Sequence, residues 1–386
     1  MNKLLFFIVL LIVYGSLYPF KFSGQLPDFA TTWRLFSDYN LQTTNADIIA
    51  NIILFIPLGF VIRIACNKYY ERVKATLIYI GLSAVLAFLL QYLQFFLPSR
   101  VPDAGDAAYN IIGVIAGIIF SHVLLQYSQN RIPQDQTHRT SWSHVSIPLL
   151  LALLWVCWRW FPFIPFAATE SIIDSLNPLI RKPELDFFLI VRDGIGWLIF
   201  FYLLSQPPFD KQPRFRVLRI AFTILGIELF IINNQITVND LLATLSAFAL
   251  YASLDYKAIQ RSLSWSLLIA MILTWLAPLN NPDNAASFNW LPFAAYMQGN
   301  PWVEIEEILL KLYFIGTMIF IIKNQWFDFK MATGISFLVV LLLIIAQVMI
   351  GSYKPDITDT LVVIFLGWAM FLIDKQASDE RSMAMR

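Results

Sequence analysis

The sequence is poor in the side chains that carry metal, redox and nucleic-acid chemistry. Two cysteines, Cys66 and Cys157, exclude a disulfide framework and a cysteine-ligated zinc site. Three histidines, His122, His138 and His144, are too few for a metal cluster, so no metal and no cofactor is expected. The 27 lysines and arginines are balanced by 26 acids, a net charge of +1 that leaves no nucleic-acid footprint. Glycine-rich nucleotide loops, G-x-S-x-G and H-E-x-x-H are all absent. Charge itself is scarce: 14% of the 386 residues, where a soluble chain carries about a quarter. What replaces it is apolar. The chain is 58% hydrophobic, with 33 Phe, 12 Trp and 15 Tyr and a mean hydropathy of +0.64. That leaves too little polar surface to coat a globule in water, and the excess must face lipid. The composition implies an all-α polytopic membrane protein.

Twelve apolar runs are long enough to be read as spans: about 3–22, 47–66, 75–97, 105–127, 144–164, 185–205, 215–233, 238–255, 262–279, 303–323, 330–350 and 358–374. No small-x-small site follows the first, which is read as an uncleaved helix. With both termini cytoplasmic, 18 basic residues fall on the inner side and seven on the outer, as the positive-inside rule requires. The expected location is a bacterial inner membrane. Eight acids fall on the inner side and 18 on or near the outer one. Three outer connections, at about 23–46, 165–184 and 280–302, are long and rich in apolar and aromatic residues such as Phe29, Trp33, Phe36, Ile173 and Trp290. They are read as interfacial segments, and Trp155, Trp158 and Trp160 as an interfacial belt.

The long connections recur every fourth span, each beside a Pro-Phe pair: Pro19-Phe20, Pro165-Phe166 and Pro292-Phe293. Polar landmarks recur with them. Asn51, Arg192 and Lys311 lie early in the second span of each quartet, Gln94, Glu228 and Gln347 near the end of the third, and Asp106, Asp240 and Asp359 open the fourth. The interval from the third-span residue to the aspartate is 12 residues each time. This predicts three four-helix repeats, at 1–127, 144–255 and 262–374, followed by a polar cytoplasmic tail at 375–386 read as disordered.

Two blocks of the first quartet can be placed. Asn51-Ile-Ile-Leu-Phe-Ile-Pro-Leu-Gly-Phe60, and the block carrying Gln94, Arg100, Asp103, Asp106, Asn110, Gly113 and Gly117, resemble the signatures of the VanZ-like family. Gln91 stands where that family often has an acid. Residues 144–374 lose Pro57, Gly59, Asn110 and Gly113 and look like degenerate copies. The resemblance implies a cell-envelope membrane protein of a family named for resistance to teicoplanin, a lipidated glycopeptide.

The polar residues admit two readings. Asp47 and Asn51, like Asp106 and Asn110, are four apart and share a helix face. Asp47 and Asp106 can cap helix N-termini while an Arg100–aspartate bridge pins the helix ends. Alternatively Asp47, Asn51, Gln94, Arg100, Asp103, Asp106 and Asn110 line a pocket for a lipid or glycolipid headgroup, with Arg100 meeting a phosphate. Arg192, Glu228, Asp240, Lys311, Gln347 and Asp359 extend the candidate ligand set. Charges inside spans face a protein interior or a cavity, and an Arg192–Glu228 pair and a local Glu307–Lys311 pair would satisfy them. No catalytic residue is identified. The functional expectation is a non-enzymatic protein that binds, shields or moves a lipid-linked envelope component at the outer leaflet and bears on glycopeptide resistance. The rivals are a twelve-helix secondary transporter and, weaker, a membrane enzyme on polyprenyl-linked substrates with Asp103 or Asp106 as base.

Overall fold

A computed structural model describes residues 2–23, 45–66, 69–98, 100–129, 146–165, 169–181, 183–207, 214–276, 288–294, 296, 300–350 and 355–384. Thirteen helices occupy them, and the chain divides into two compact units, residues 1–145 with 376–386 and residues 146–375.

The first unit holds α1 (Asn2–Leu17), α2 (Asn45–Ala65), α3 (Tyr69–Gln94) and α4 (Ala104–Gln129). Its closest packing is α2 against α4, and glycine makes it possible. A Cβ at Gly113 would collide with the carbonyl oxygen of Ile52, one at Gly117 with that of Ile56, and one at Gly59 with that of Val114. The pairing 113 with 52 and 117 with 56 ascends together, so α2 and α4 run parallel. Their N-termini therefore lie at one end. At the other end Arg63 Nη2 meets His122 Nδ1 at 3.2 Å. The outward faces are apolar: Val73, Leu77, Ile78, Leu82, Val85 and Leu89 of α3 are all exposed, and only 17% of an 18-residue apolar stretch within Val73–Gln94 is buried inside the protein. Lipid is the surrounding that makes such a face stable.

The second unit holds α5 (Ile147–Trp160), α6 (Thr169–Ile180), α7 (Phe187–Leu203), α8 (Arg214–Glu228), α9 (Val238–Ser253), α10 (Tyr256–Leu276), α11 (Pro301–Gln325), α12 (Phe329–Ile350) and α13 (Thr358–Ala384), whose last residues belong to the first unit. Here much of the apolar sequence is spent on an internal core. The stretch Trp197–Leu204 is buried residue after residue, and Tyr313, Phe314 and Ile319 join it. A helix apolar on every side belongs in a core or in lipid, and α7 and α11 take the core.

Among the described residues, five helices are long and apolar enough to cross a membrane: Asp47–Ala65, Val73–Gln94, Ala104–Gln126, Tyr256–Leu276 and Phe329–Ile350. This corrects the expectation of about twelve spans arranged as three four-helix repeats. The reason is length and charge. At 1.5 Å per residue, the 14, 15, 16 and 17 residues of α5, α8, α9 and α7 give about 21–26 Å, short of the roughly 30 Å hydrocarbon layer. Helix α11 is long enough at 25 residues, but Glu304, Glu306, Glu307 and Lys311 occupy its first half. Apolar runs in the sequence had merged short helices with the buried loops beside them.

Two further expectations change. The connection at 165–184 carries a helix, α6, and the tail continues helically to Ala384 instead of being disordered. The aromatic connection containing Phe29, Trp33 and Phe36, as well as His138 and His144, lies outside the described residues.

Candidate functional site

The parallel N-termini of α2 and α4 gather the polar residues of the first unit. Asp47 lies in the first turn of α2 and Asp106 in the first turn of α4. Asn51 follows one turn after Asp47, next to the Ile52 carbonyl that abuts Gly113. Asn110 follows one turn after Asp106. The loop that delivers α4 is tied down by side chains. Gln91, buried on α3, accepts from Asp103 N at 3.1 Å, and Asp103 Oδ1 accepts from Gly105 N at 2.7 Å. Gln94 Nε2 donates to Ser16 O at 3.0 Å, and Ser23 N donates to Phe96 O at 2.6 Å, so the chain after α1 is held against the turn after α3. Asp47, Asp103 and Arg100 all lie within electrostatic range of the Asp106 carboxylate. Arg100 is exposed and makes no ion pair among the described residues.

Two acceptors at this end are left unmet. Asp106 Oδ1 and Asn110 Oδ1 are buried and have no hydrogen-bond partner among the described residues, and Asn110 as a whole is 2% exposed. A buried polar atom without a partner costs about 1–3 kcal/mol, more for a charged group, and such atoms in a native structure call for a reason.

The second unit contains two comparable places, and in each the aspartate that opens a helix, α9 or α13, is met by a cation. In the first, Arg159 near the end of α5 grips Glu228 through Nε (2.6 Å) and Nη2, and reaches Asp240 Oδ1 through Nη1 at 2.8 Å. The other Asp240 oxygen accepts from Thr237 N (2.8 Å) and Thr237 Oγ1 (2.6 Å), completing a capping box at the start of α9. In the second, Lys311 Nζ donates to Asp359 Oδ2 (2.9 Å), Glu307 Oε1 (2.7 Å) and Tyr296 Oη (2.8 Å). Asp359 also accepts from Trp275 Nε1 (2.7 Å) and Tyr296 Oη (2.9 Å). Burial first, and then the Asp359 carboxylate, hold the Tyr296 phenol well above its ordinary pKa, so it stays a neutral donor. Gln347 Nε2 donates to Trp275 O at 2.7 Å, much as Gln94 does to Ser16 O.

The sequence-derived set is thus sorted. Asp47, Asn51, Arg100, Asp103, Asp106 and Asn110 share one end of the first unit, with Gln94 bracing it. Glu228 meets Asp240 through Arg159, while Lys311, Gln347 and Asp359 form the third group. Arg192 does not join Glu228, as the spacing had suggested. Its Nε binds Asp193 at 2.7 Å, and its guanidinium lies over Trp158. The Arg100–aspartate bridge is not formed either. Trp155 and Trp158 are not a belt: they are 0% and 7% exposed, and Trp155 packs on Trp197 and Tyr313. Arg159, Trp275 and Tyr296 were missed. A signal for the first two existed, because Ser16, Arg159 and Trp275 each stand three residues before a proline (Pro19, Pro162, Pro278). Backbone geometry adds to it: Phe20, Phe163 and Phe293, each after a proline, share a left-handed conformation with φ of 61°, 64° and 60°. This is a recurrence of local contacts, not of three four-span modules. Among the described residues, no group of three or more His, Cys, Asp or Glu side chains is arranged to hold a metal ion.

The VanZ/LLP1 family model matches residues 4–125, a segment that lies within the first unit and includes Asp47 through Asn110. The rest of the chain is unassigned. No curated protein and no solved structure matches the chain. The chain is therefore a largely helical membrane protein with a VanZ-like domain at its start.

Proposed function

We propose that the VanZ-like unit binds the polar headgroup of a lipid-linked envelope component at the extracytoplasmic face, withholding it from lipidated glycopeptides of the teicoplanin type. The observation that carries this reading is the pair of buried, unpartnered oxygens on Asp106 and Asn110. At two like-built places in the same chain the aspartate opening the helix is met by an internal cation, and at this one Asp106 forms no ion pair among the described residues. Its depth suits a headgroup. Both atoms lie in the first two turns of α4, where the helix N-terminus meets the membrane boundary, and the exposed apolar faces of α3 and α4 supply a lipid-facing approach. Within this unit the end carrying Lys3, Arg63 and Lys74 is the more basic, and the positive-inside rule then favours the outside for the opposite end, that of Asp106. The role is binding, with Asp47, Asn51, Asp103 and Arg100 lining the rim and Gln91 and Gln94 holding the frame.

The test is lipid retention. Purified protein in mixed-lipid nanodiscs is released for native mass spectrometry, and bound lipid is counted. Wild type is expected to carry a stoichiometric lipid. Asp106→Asn and Asn110→Leu should each lower its retention by about tenfold to a hundredfold, the worth of one hydrogen bond to a charged group at about 1.5–3 kcal/mol. Equal retention in wild type and both variants would remove the headgroup reading.

A further inference from the structure

We infer that the group completing this site is a primary ammonium carried by the lipid headgroup, an inference that rests on the headgroup reading above. The protein supplies the template. Asp240 and Asp359 stand 12 residues after Glu228 and Gln347, as Asp106 stands 12 after Gln94. Each of the three earlier residues bonds to the residue three before a proline: Gln94 to Ser16, Glu228 to Arg159, Gln347 to Trp275. In this register the two second-unit aspartates are each met by a nitrogen cation, and the cation comes from a different position each time.

At Asp240 it is Arg159, the counterpart of Ser16. At Asp359 it is Lys311, which lies in the first half of α11 as Asn51 lies in the first half of α2. The first unit has neither. Ser16 and Asn51 are neutral, and the Asp106 oxygen that would take the cation has no partner. Four residues on, Thr244 turns its hydroxyl back to Asp240 O, Val363 has no polar atom, and Asn110 alone offers an unmet oxygen.

The chemistry of the missing donor follows from what surrounds the two oxygens. Both unmet atoms are acceptors, so the ligand must donate. Among the described residues, the charges that act on the Asp106 carboxylate are the carboxylates of Asp103 and Asp47 and the guanidinium of Arg100, a balance that favours a cation over a bare anion. An N–H cation donates to Asp106 and Asn110 together, as Lys311 Nζ does to Asp359, Glu307 and Tyr296. A quaternary ammonium has the charge without the donors. Arg100, exposed at the rim, is left to meet the phosphate of the same headgroup.

The experiment uses the full chain in nanodiscs of equimolar phosphatidylethanolamine, phosphatidylcholine and phosphatidylglycerol, with retained lipid counted by native mass spectrometry. Wild type is expected to enrich the ethanolamine lipid by at least about tenfold over both others, the factor one charge-assisted hydrogen bond supplies. Asn51→Lys, which brings an ammonium of the protein's own into the rim of this site, should abolish the enrichment and raise Tm, whereas Gly81→Ala, in the middle of α3 with open space at its Cβ position, should retain it. Should Asn51→Lys not fold, Ser16→Lys delivers the charge from the Arg159 position. Release of bound lipid by soluble glucosamine but not glucose, without ethanolamine enrichment, would also support the inference and assign the ammonium to an amino sugar. Equal retention of choline and ethanolamine lipids without glucosamine displacement would overturn it. If that lipid were still lost in Asp106→Asn, the headgroup reading would survive and only the ammonium would fall.

Discussion

At the scale of the residue, a buried carboxylate in this protein stands or falls with its cation. Removing one partner of a buried pair leaves an uncompensated charge and costs about 3–5 kcal/mol. Arg159→Met strands both Glu228 and Asp240, and should lower unfolding free energy by about that much in a denaturant titration in detergent. Adding Glu228→Gln and Asp240→Asn should recover most of it, because the charges that needed Arg159 are then gone. Lys323→Met is the contrast. Its 3.7 Å contact with Asp374 is partly exposed, so the loss should stay within about 1 kcal/mol. Some of this chemistry could be read before any fold was known. Glu307 and Lys311 are one helical turn apart, and a pair at that spacing needs only the helix. Arg159 and Glu228 are separated by 69 residues, and nothing local says that their helices meet. The expectation that Arg192 would take Glu228 failed for that reason: Asp193, its immediate neighbour, satisfies it.

At the scale of the element, glycine decides how closely α2 and α4 approach. The atoms that a Cβ at Gly113 or Gly117 would strike are backbone carbonyls of α2, which cannot swing aside as a side-chain tip can. Gly113→Leu should therefore force the two helices apart, at a cost of several kcal/mol on the scale of overpacking. Hydrogen exchange is the measurement: protection should fall across α2 and α4, and Asp106 should lose its position with it. Gly81, with open space around its Cβ position, provides the control, and Gly81→Ala should stabilise by a few tenths of a kcal/mol up to about 1. The Gly113-x-x-x-Gly117 spacing was legible as a close-packing signal. Its partner was not, since the motif says that a helix comes near and not which one. Helix existence was legible for the apolar segments, because apolar runs and acidic first turns are local, but not for α6 or for the last turns of α13, which are more polar. Helix length was less so, because a run of apolar letters does not show where a helix stops and a buried loop begins.

At the scale of the whole molecule, the two units use apolar sequence differently. The first spends it largely on exposed faces, and the second on a core built from Trp155, Trp197, Trp275, Tyr202 and Tyr313. Both contribute candidate spans, three in the first and two in the second. The chain should therefore remain in the membrane fraction after alkaline carbonate extraction and leave it only in detergent. Recovery in the carbonate supernatant would contradict the membrane reading. Composition by itself determined that the protein belongs in a membrane and is helical, because hydropathy and charge are sums over residues and need no partner. The sequence by itself also placed an aspartate at the start of α4, α9 and α13, since capping is a matter of a few consecutive residues. Tertiary structure alone decided how many of the described helices are long enough to cross, which cation Asp240 and Asp359 receive, and that Asp106 forms no ion pair among the described residues. Those outcomes depend on which surfaces meet across many residues of chain, where burial raises the cost of every unpaired charge and leaves one partner or an empty place.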